Sequence, residues 1–253
     1  MSRINRKDFV AVVGSLSAGA VLPGSAADAA SVPSHEHHTS PSSTHRATAP
    51  VARSTGTDEP PYVYLTAPEA AFLEAAVARL IPADRLGPGA REAGVATFID
   101  RQLAGTYGAA ATTYVQGPFG DAPQPTQGYQ LALTPRQIYR LGIAATDAAC
   151  VGSDGKPFAQ LAAQRQDAIL SALEHGTLAF EELPAKTFFE MLLQNTVEGF
   201  FSDPIHGGNR EMIGWKLVGF PGAAGAYVGA IEQHGKPFAQ APVSLAELEG
   251  HHH

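Results

Sequence analysis

From Tyr62 onward the apolar residues recur at three- and four-residue spacing, and no alternating run grows long enough for a convincing strand. A chain patterned this way makes helices with one apolar stripe each and has to bury those stripes against one another. Thr66-Ala67-Pro68-Glu69 is a capping box with proline in the first turn, where its missing N–H costs nothing. Phe72, Leu73, Ala76, Val77, Leu80 and Ile81 then share one stripe, and Pro82 with Gly87-Pro88-Gly89 ends it. Val95, Phe98, Ile99 and Leu103 mark a shorter helix. Thr134-Pro135 opens another, with Ile138, Leu141, Ala145 and Ala149 on its inner face and Cys150 at its end. Phe158, Leu161, Ile169, Leu170 and Leu173 predict a helical pair closed at Gly176 by a left-handed cap. Pro184 starts the most apolar helix, carrying Phe188, Phe189, Leu192, Leu193, Thr196, Val197 and Phe200. The expected fold is all-α, a single helical domain with long irregular loops over residues 62–240, followed by a tail over 241–253.

The first 61 residues stand apart from that pattern. Residues 1–29 read as an export signal, with Arg3, Arg6 and Lys7 ahead of an apolar stretch from Phe9 to Leu22 and small residues at Ala27-Asp28-Ala29. The stretch falls short of the about 20 apolar residues a membrane span needs; an uncleaved N-terminal anchor is the alternative. Asn5-Arg6-Lys7-Asp8-Phe9-Val10 resembles a twin-arginine signal in which Lys7 replaces the second arginine. Residues 30–61, rich in His, Ser, Thr and Pro, form a flexible linker. His35, His37, His38 and His45 with Glu36 are metal-ligand types, but ordering a mobile tether costs entropy and nothing nearby supports the ligands. No metal is therefore assigned to the chain.

Two segments break the helical pattern and invite a functional reading. The loop from Gly105 to Leu133 is rich in Gly, Pro and Gln yet carries Tyr107, Tyr114, Phe119 and Tyr129. Loops of that length inside a domain tend to be functional, and the aromatics imply order, packed on the chain's own core or on another chain. The stretch from Asn195 to Gly222 combines Phe200, Phe201, Phe220 and the only Trp with Glu198, Asp203, His206, Asn209, Arg210 and the Gly207-Gly208 pair. So many glycines do not suit a helix interior, where each costs about 1 kcal/mol. The segment must turn sharply and present a shaped polar surface.

Glu198, Asp203, His206 and Glu211 are capable of acid–base work, because a His beside a carboxylate relays a proton. The same residues also suit plain structure. Asp203 before Pro204 and Asn209 are turn formers, Gly207-Gly208 permits positive φ, and Glu198 is placed to pair with Arg210. Trp215 belongs either to the core or to an interface, where aromatics and Arg concentrate binding energy. Cys150 is the only cysteine, so no internal disulfide forms. It is either inert packing or, in an exported protein, a bridge to a partner chain. The net charge of -7 excludes a nucleic-acid partner, which calls for a basic face. The chain also lacks G-x-G-x-x-G, P-loop, H-E-x-x-H, C-x-x-C and G-x-S-x-G motifs, so no cofactor and no catalytic residue is assigned to it.

In order along the chain, Phe72-Leu73-Glu74-Ala75-Ala76-Val77, Arg79 to Asp84, Gly87-Pro88-Gly89-Ala90 and Phe98 to Leu103 resemble the gluconate 2-dehydrogenase subunit 3 family. So do Gln116-Gly117-Pro118-Phe119, Gln127 to Leu131, Asn195 to Phe201, Asp203-Pro204, Gly207-Gly208-Asn209 and Trp215-Lys216. The resemblance implies a small subunit of an exported, FAD-dependent sugar or sugar-acid dehydrogenase. It implies an FAD-containing catalytic subunit as partner, commonly with a multihaem cytochrome c, and membrane contact only through that complex. It carries no catalytic residue over to this chain. The expected partner-facing residues are Phe119, Tyr129, Cys150, Glu198, Asp203, His206, Asn209, Arg210 and Trp215, with His206 and Asp203 the pair that would reach a shared sugar site. A stand-alone periplasmic sugar- or metal-binding protein is the remaining alternative. The expected location is the periplasm.

Overall fold

The computed structural model describes residues 62–113, 117–119, 128–223, 232–233, 236 and 240–249. The export signal, the linker with its histidines, Tyr114 and the terminal His251 to His253 lie outside the described residues. Among these residues seven α-helices follow in order: α1 (Ala67–Leu80), α2 (Val95–Ala104), α3 (Pro135–Asp154), α4 (Ala163–Glu174), α5 (Ala185–Phe201), α6 (Ile213–Val218) and α7 (Leu245–Glu249). Among the described residues there is no strand beyond two isolated bridges. The fold is all-α, as the periodicity requires.

Local chemistry sets the helix starts. The Glu69 carboxylate accepts from Thr66 N at 2.9 Å, and Gln137 Oε1 accepts from Thr134 N at 2.8 Å, so α1 and α3 both open on capping boxes with proline in the first turn. Helix α5 is the centre of the domain and packs against α1, α2, α3 and α4. Its Phe188 ring lies 6.2 Å from Phe72 and 5.8 Å edge-on from Tyr139, and Phe72 lies 4.7 Å from Phe158. All four aromatics are fully buried, each contributing about 1.5–3 kcal/mol relative to an exposed side chain.

The inner face of α3 is rotated from the expected one. Ile138 is buried as anticipated, but Leu141, Ala145 and Ala149 are only half-buried, and the interior is met by Tyr139, Gly142, Ile143, Thr146 and Cys150. Gly142 sets this register, since a Cβ there would overlap the Phe188 ring, so the helix turns its notch toward α5. Cys150 stands one turn before the helix end, not at it. The expected helical pair after it is one helix and one 3-10 turn, Phe158–Gln160. Pro157 enters that turn and Leu161 leaves it in extended conformation, while Asp147 Oδ1 accepts from Phe158 N at 2.8 Å and fixes the ring over α1.

Both ends of the domain are fastened by carboxylates. Asp100 on α2 is 1% exposed and accepts from Val63 N, Tyr64 N and Leu65 N at 2.7, 2.9 and 2.8 Å. Three backbone donors compensate the burial of its charge. At the other end, residues beyond 240 are tied back onto the domain. Ala223 N donates to Val243 O at 2.7 Å, and Leu245 N donates to Asp203 Oδ2 at 2.9 Å.

Candidate functional site

The segment from Asn195 to Gly222 comprises the second half of α5, a 3-10 turn at Pro204–His206, another at Arg210–Met212, and α6. Backbone packs directly on backbone here. A Cβ on Gly208 would overlap the Gly199 carbonyl, and one on Gly214 the Phe200 carbonyl, so only glycine lets the turn and α6 lie against the last turns of α5.

Asn209 holds this arrangement. It is fully buried, with φ 46 in the left-handed region that Asn tolerates better than most residues. Its Nδ2 donates to Ser202 O at 2.8 Å and its Oδ1 accepts from Gly214 N at 2.7 Å. One amide thus joins the end of α5 to the start of α6. Arg210 points back into the domain, with its N donating to Ala93 O at 3.0 Å and Nη2 to Thr97 Oγ1 at 3.2 Å. Its side chain lies across Gly94, where a Cβ would sit 2.5 Å from Nε.

Asp203 uses both carboxylate oxygens on backbone. Oδ1 accepts from Ile205 N at 3.1 Å, capping the 3-10 turn, and Oδ2 accepts from Leu245 N. His206 ends that turn and is exposed. Glu198 is exposed on α5, and its Oε1 accepts from Gln194 at 2.8 Å. Trp215 is buried, donating from Nε1 to Phe201 O at 2.7 Å, with Phe220 stacked edge-on at 5.2 Å. Among the aromatics of the segment Phe200 is buried and Phe220 is 45% exposed.

Of the nine residues expected to face a partner, Cys150, Asn209 and Trp215 are therefore interior. For Cys150 the geometry matches inert packing: burial and the nearby Asp147 and Asp154 carboxylates push its thiol up to about 11 from an ordinary 9.0. A bridge to another chain would require this side chain to leave the core. Phe119 and Tyr129 are half-buried in the long loop. Tyr129 Oη is shielded from solvent with no hydrogen-bond partner among the described residues, and burial raises its pKa above the ordinary phenol value.

Sequence reasoning missed the residue that ties this loop to the helices. Asn195 is 1% exposed on α5; its Nδ2 donates to Tyr107 Oη at 3.1 Å and to Tyr139 Oη at 3.0 Å. Burial pushes both phenols up, Tyr139 the further, so they remain protonated. The signal was present as an amide on an otherwise apolar stripe, four residues after Met191. Among the described residues, no group of three or more His, Cys, Asp or Glu is placed to hold a metal ion, and no helix is long and apolar enough to cross a membrane.

Comparison with known proteins gives one assignment. A family model described as gluconate 2-dehydrogenase subunit 3 matches residues 67–222, which spans α1 to the end of the segment just described. No curated protein and no solved structure matches the chain.

Proposed function

The chain belongs to the gluconate 2-dehydrogenase subunit 3 family, and from that premise we propose that it is the non-catalytic accessory subunit of an exported FAD-dependent sugar or sugar-acid dehydrogenase. Membership makes it a component of a dehydrogenase complex. In this reading the FAD-containing partner oxidises the substrate and passes electrons to a multihaem cytochrome c or another respiratory acceptor. The present chain supports export, maturation and stability of that partner in the periplasm. The observation carrying the non-catalytic part is how the polar residues of the Asn195–Gly222 segment are used. Asp203 and Asn209 each commit both ends of their side chains to backbone groups of their own chain. They build a rigid shape, and a general base needs a free lone pair aimed at a substrate.

The test is co-purification of the tagged full-length chain with its co-expressed large subunit. A stable complex showing a flavin absorption spectrum is expected, and a chain that elutes alone beside the flavoprotein refutes the reading. His206 is the exposed imidazole of the segment, so the same complex carrying His206→Ala tests a shared active site. Unchanged turnover is expected; lost turnover with unchanged composition transfers a catalytic role to this chain.

A further inference from the structure

Of the seven large apolar side chains exposed among the described residues, four stand on segments bonded to one another: Ile205 at 45%, Val218 at 50%, Phe220 at 45% and Leu245 at 44%. One carboxylate brings Ile205 and Leu245 together, since Asp203 Oδ1 accepts from Ile205 N and Oδ2 from Leu245 N. Val243, just before Leu245, pairs with the backbone on both sides of Gly222; its N donates to Pro221 O at 3.1 Å and its O accepts from Ala223 N at 2.7 Å. That pairing lays the tail beside Phe220, whose ring packs on Trp215, and Val218 ends α6 one turn after Trp215. The other three, Val63, Leu86 and Val151, stand singly on separate elements, as isolated apolar residues do on any protein surface. At the edge of the cluster lies a cation. Arg101 reaches from α2 across Gly207, where a Cβ would sit 2.8 Å from its Nη1, so glycine makes the seat. Arg101 is exposed, and its guanidinium makes no hydrogen bond or ion pair among the described residues. Arg79, Arg91, Arg140 and Arg165, by contrast, each meet a carboxylate of the chain.

We propose that Ile205, Val218, Phe220 and Leu245 form the apolar centre of the face that docks on the flavoprotein subunit, with Arg101 at its rim. The inference rests on the accessory-subunit reading and says which face of the chain carries it. Family membership supplies the occupant. A component of a dehydrogenase complex has a face that another chain covers, and the family match runs through Ile205, Val218 and Phe220. Covering these side chains takes apolar area out of water, the main driving force of association. A guanidinium has five donors and no acceptor, and covering it unpaired is costly, so the surface that meets Arg101 brings oxygen acceptors to it. Aromatic and arginine side chains around a desolvated centre are how interfaces concentrate their binding energy. Asp203 and Trp215 already hold the face in shape, so little further ordering opposes binding.

Two double variants of the full chain, each co-expressed with the large subunit, test the face against the rest of the surface. Ile205→Ser with Leu245→Ser makes the proposed centre polar; Leu86→Ser with Val151→Ser makes the same chemical change at exposed apolar residues elsewhere. The first pair is expected to weaken the complex about tenfold and the second to leave it as in the wild type. Arg101→Ala is expected to weaken it about tenfold as well. All three chains alone should melt within about 2 °C of the wild type, because the altered side chains are exposed. Wild-type affinity in the first pair overturns the proposal, and so does an equal loss in the second. A first pair that melts well below the wild type also overturns it, by making these side chains part of the core. Wild-type affinity in Arg101→Ala overturns the place given to the guanidinium. Self-association of the wild-type chain that the first pair abolishes, read by sedimentation, assigns the face to a second copy and overturns the flavoprotein as its occupant. A wild-type chain that binds no flavoprotein refutes the accessory-subunit reading itself, so the two failures are told apart.

Discussion

Asn209→Ala is the substitution whose cost the structure specifies most fully. It leaves the buried Gly214 N–H without its acceptor, about 2 kcal/mol, and the Ser202 carbonyl without its donor, about 1 kcal/mol. It also places alanine at φ 46, where it lacks the tolerance of asparagine, about 1 kcal/mol more. The sum is about 4 kcal/mol. For a domain of this length that lowers the Tm by about 8–16 °C. Asn209→Gly loses the same two bonds without the backbone cost, so its loss is about 3 kcal/mol. Urea unfolding of both variants beside the wild type, followed by circular dichroism, measures the two terms separately, provided the m-value is unchanged. Losses below about 1 kcal/mol in both variants would show that the amide does not join α5 to α6. Equal losses would show that the left-handed backbone at 209 carries no cost.

Two further outcomes follow from the buried carboxylate and the buried thiol. Asp100→Ala leaves the buried Leu65 N–H unpaired and releases Val63 and Tyr64 to water; a loss of about 3 kcal/mol is expected, with new protease cleavage within residues 62–66. An unaltered Tm and cleavage pattern would refute that anchoring role. Cys150 has a folded pKa raised to about 11 from 9.0, so its contribution to stability is intact below about pH 9 and is lost as pH rises to about 11. A thiol probe at about pH 8 should leave the native chain untouched and react once urea unfolds it; reaction in the native state, or a non-reducing gel band at the mass of a bridged complex, would refute burial as the rule for this side chain.

The fold was readable where period and punctuation agree. The α1 stripe follows from Phe72, Leu73, Ala76 and Val77 between a capping box and a proline–glycine cluster, because those cues are local. The α3 face was misread because its register depends on a distant residue. Leu141 is the larger apolar group, and hydrophobicity alone turns it inward. The interior takes Gly142 instead, since Phe188 fills the space a side chain would need. Phe158 has the same lesson. Its ring is core, as the sequence implied, but Asp147 catches its backbone before a second helical turn can form.

The candidate site was legible in place, and the sequence left two uses open for Asp203 and its polar neighbours, acid–base work or the holding of turns. Aromatics, Gly-Gly and mixed polar residues located the Asn195–Gly222 segment, but residue type does not say which way a polar side chain turns. Asp203 and Asn209 have the composition of an active site and turn toward backbone. Left-handed φ at Glu211 and Met212 left no mark in the sequence, because neither residue is one that ordinarily signals it. Among the described residues positive φ falls mostly on glycine, but Ala110 at φ 53 and Asn209 at φ 46 take it inside the fold, and Glu211 with Met212 takes it at the kink that leads into α6.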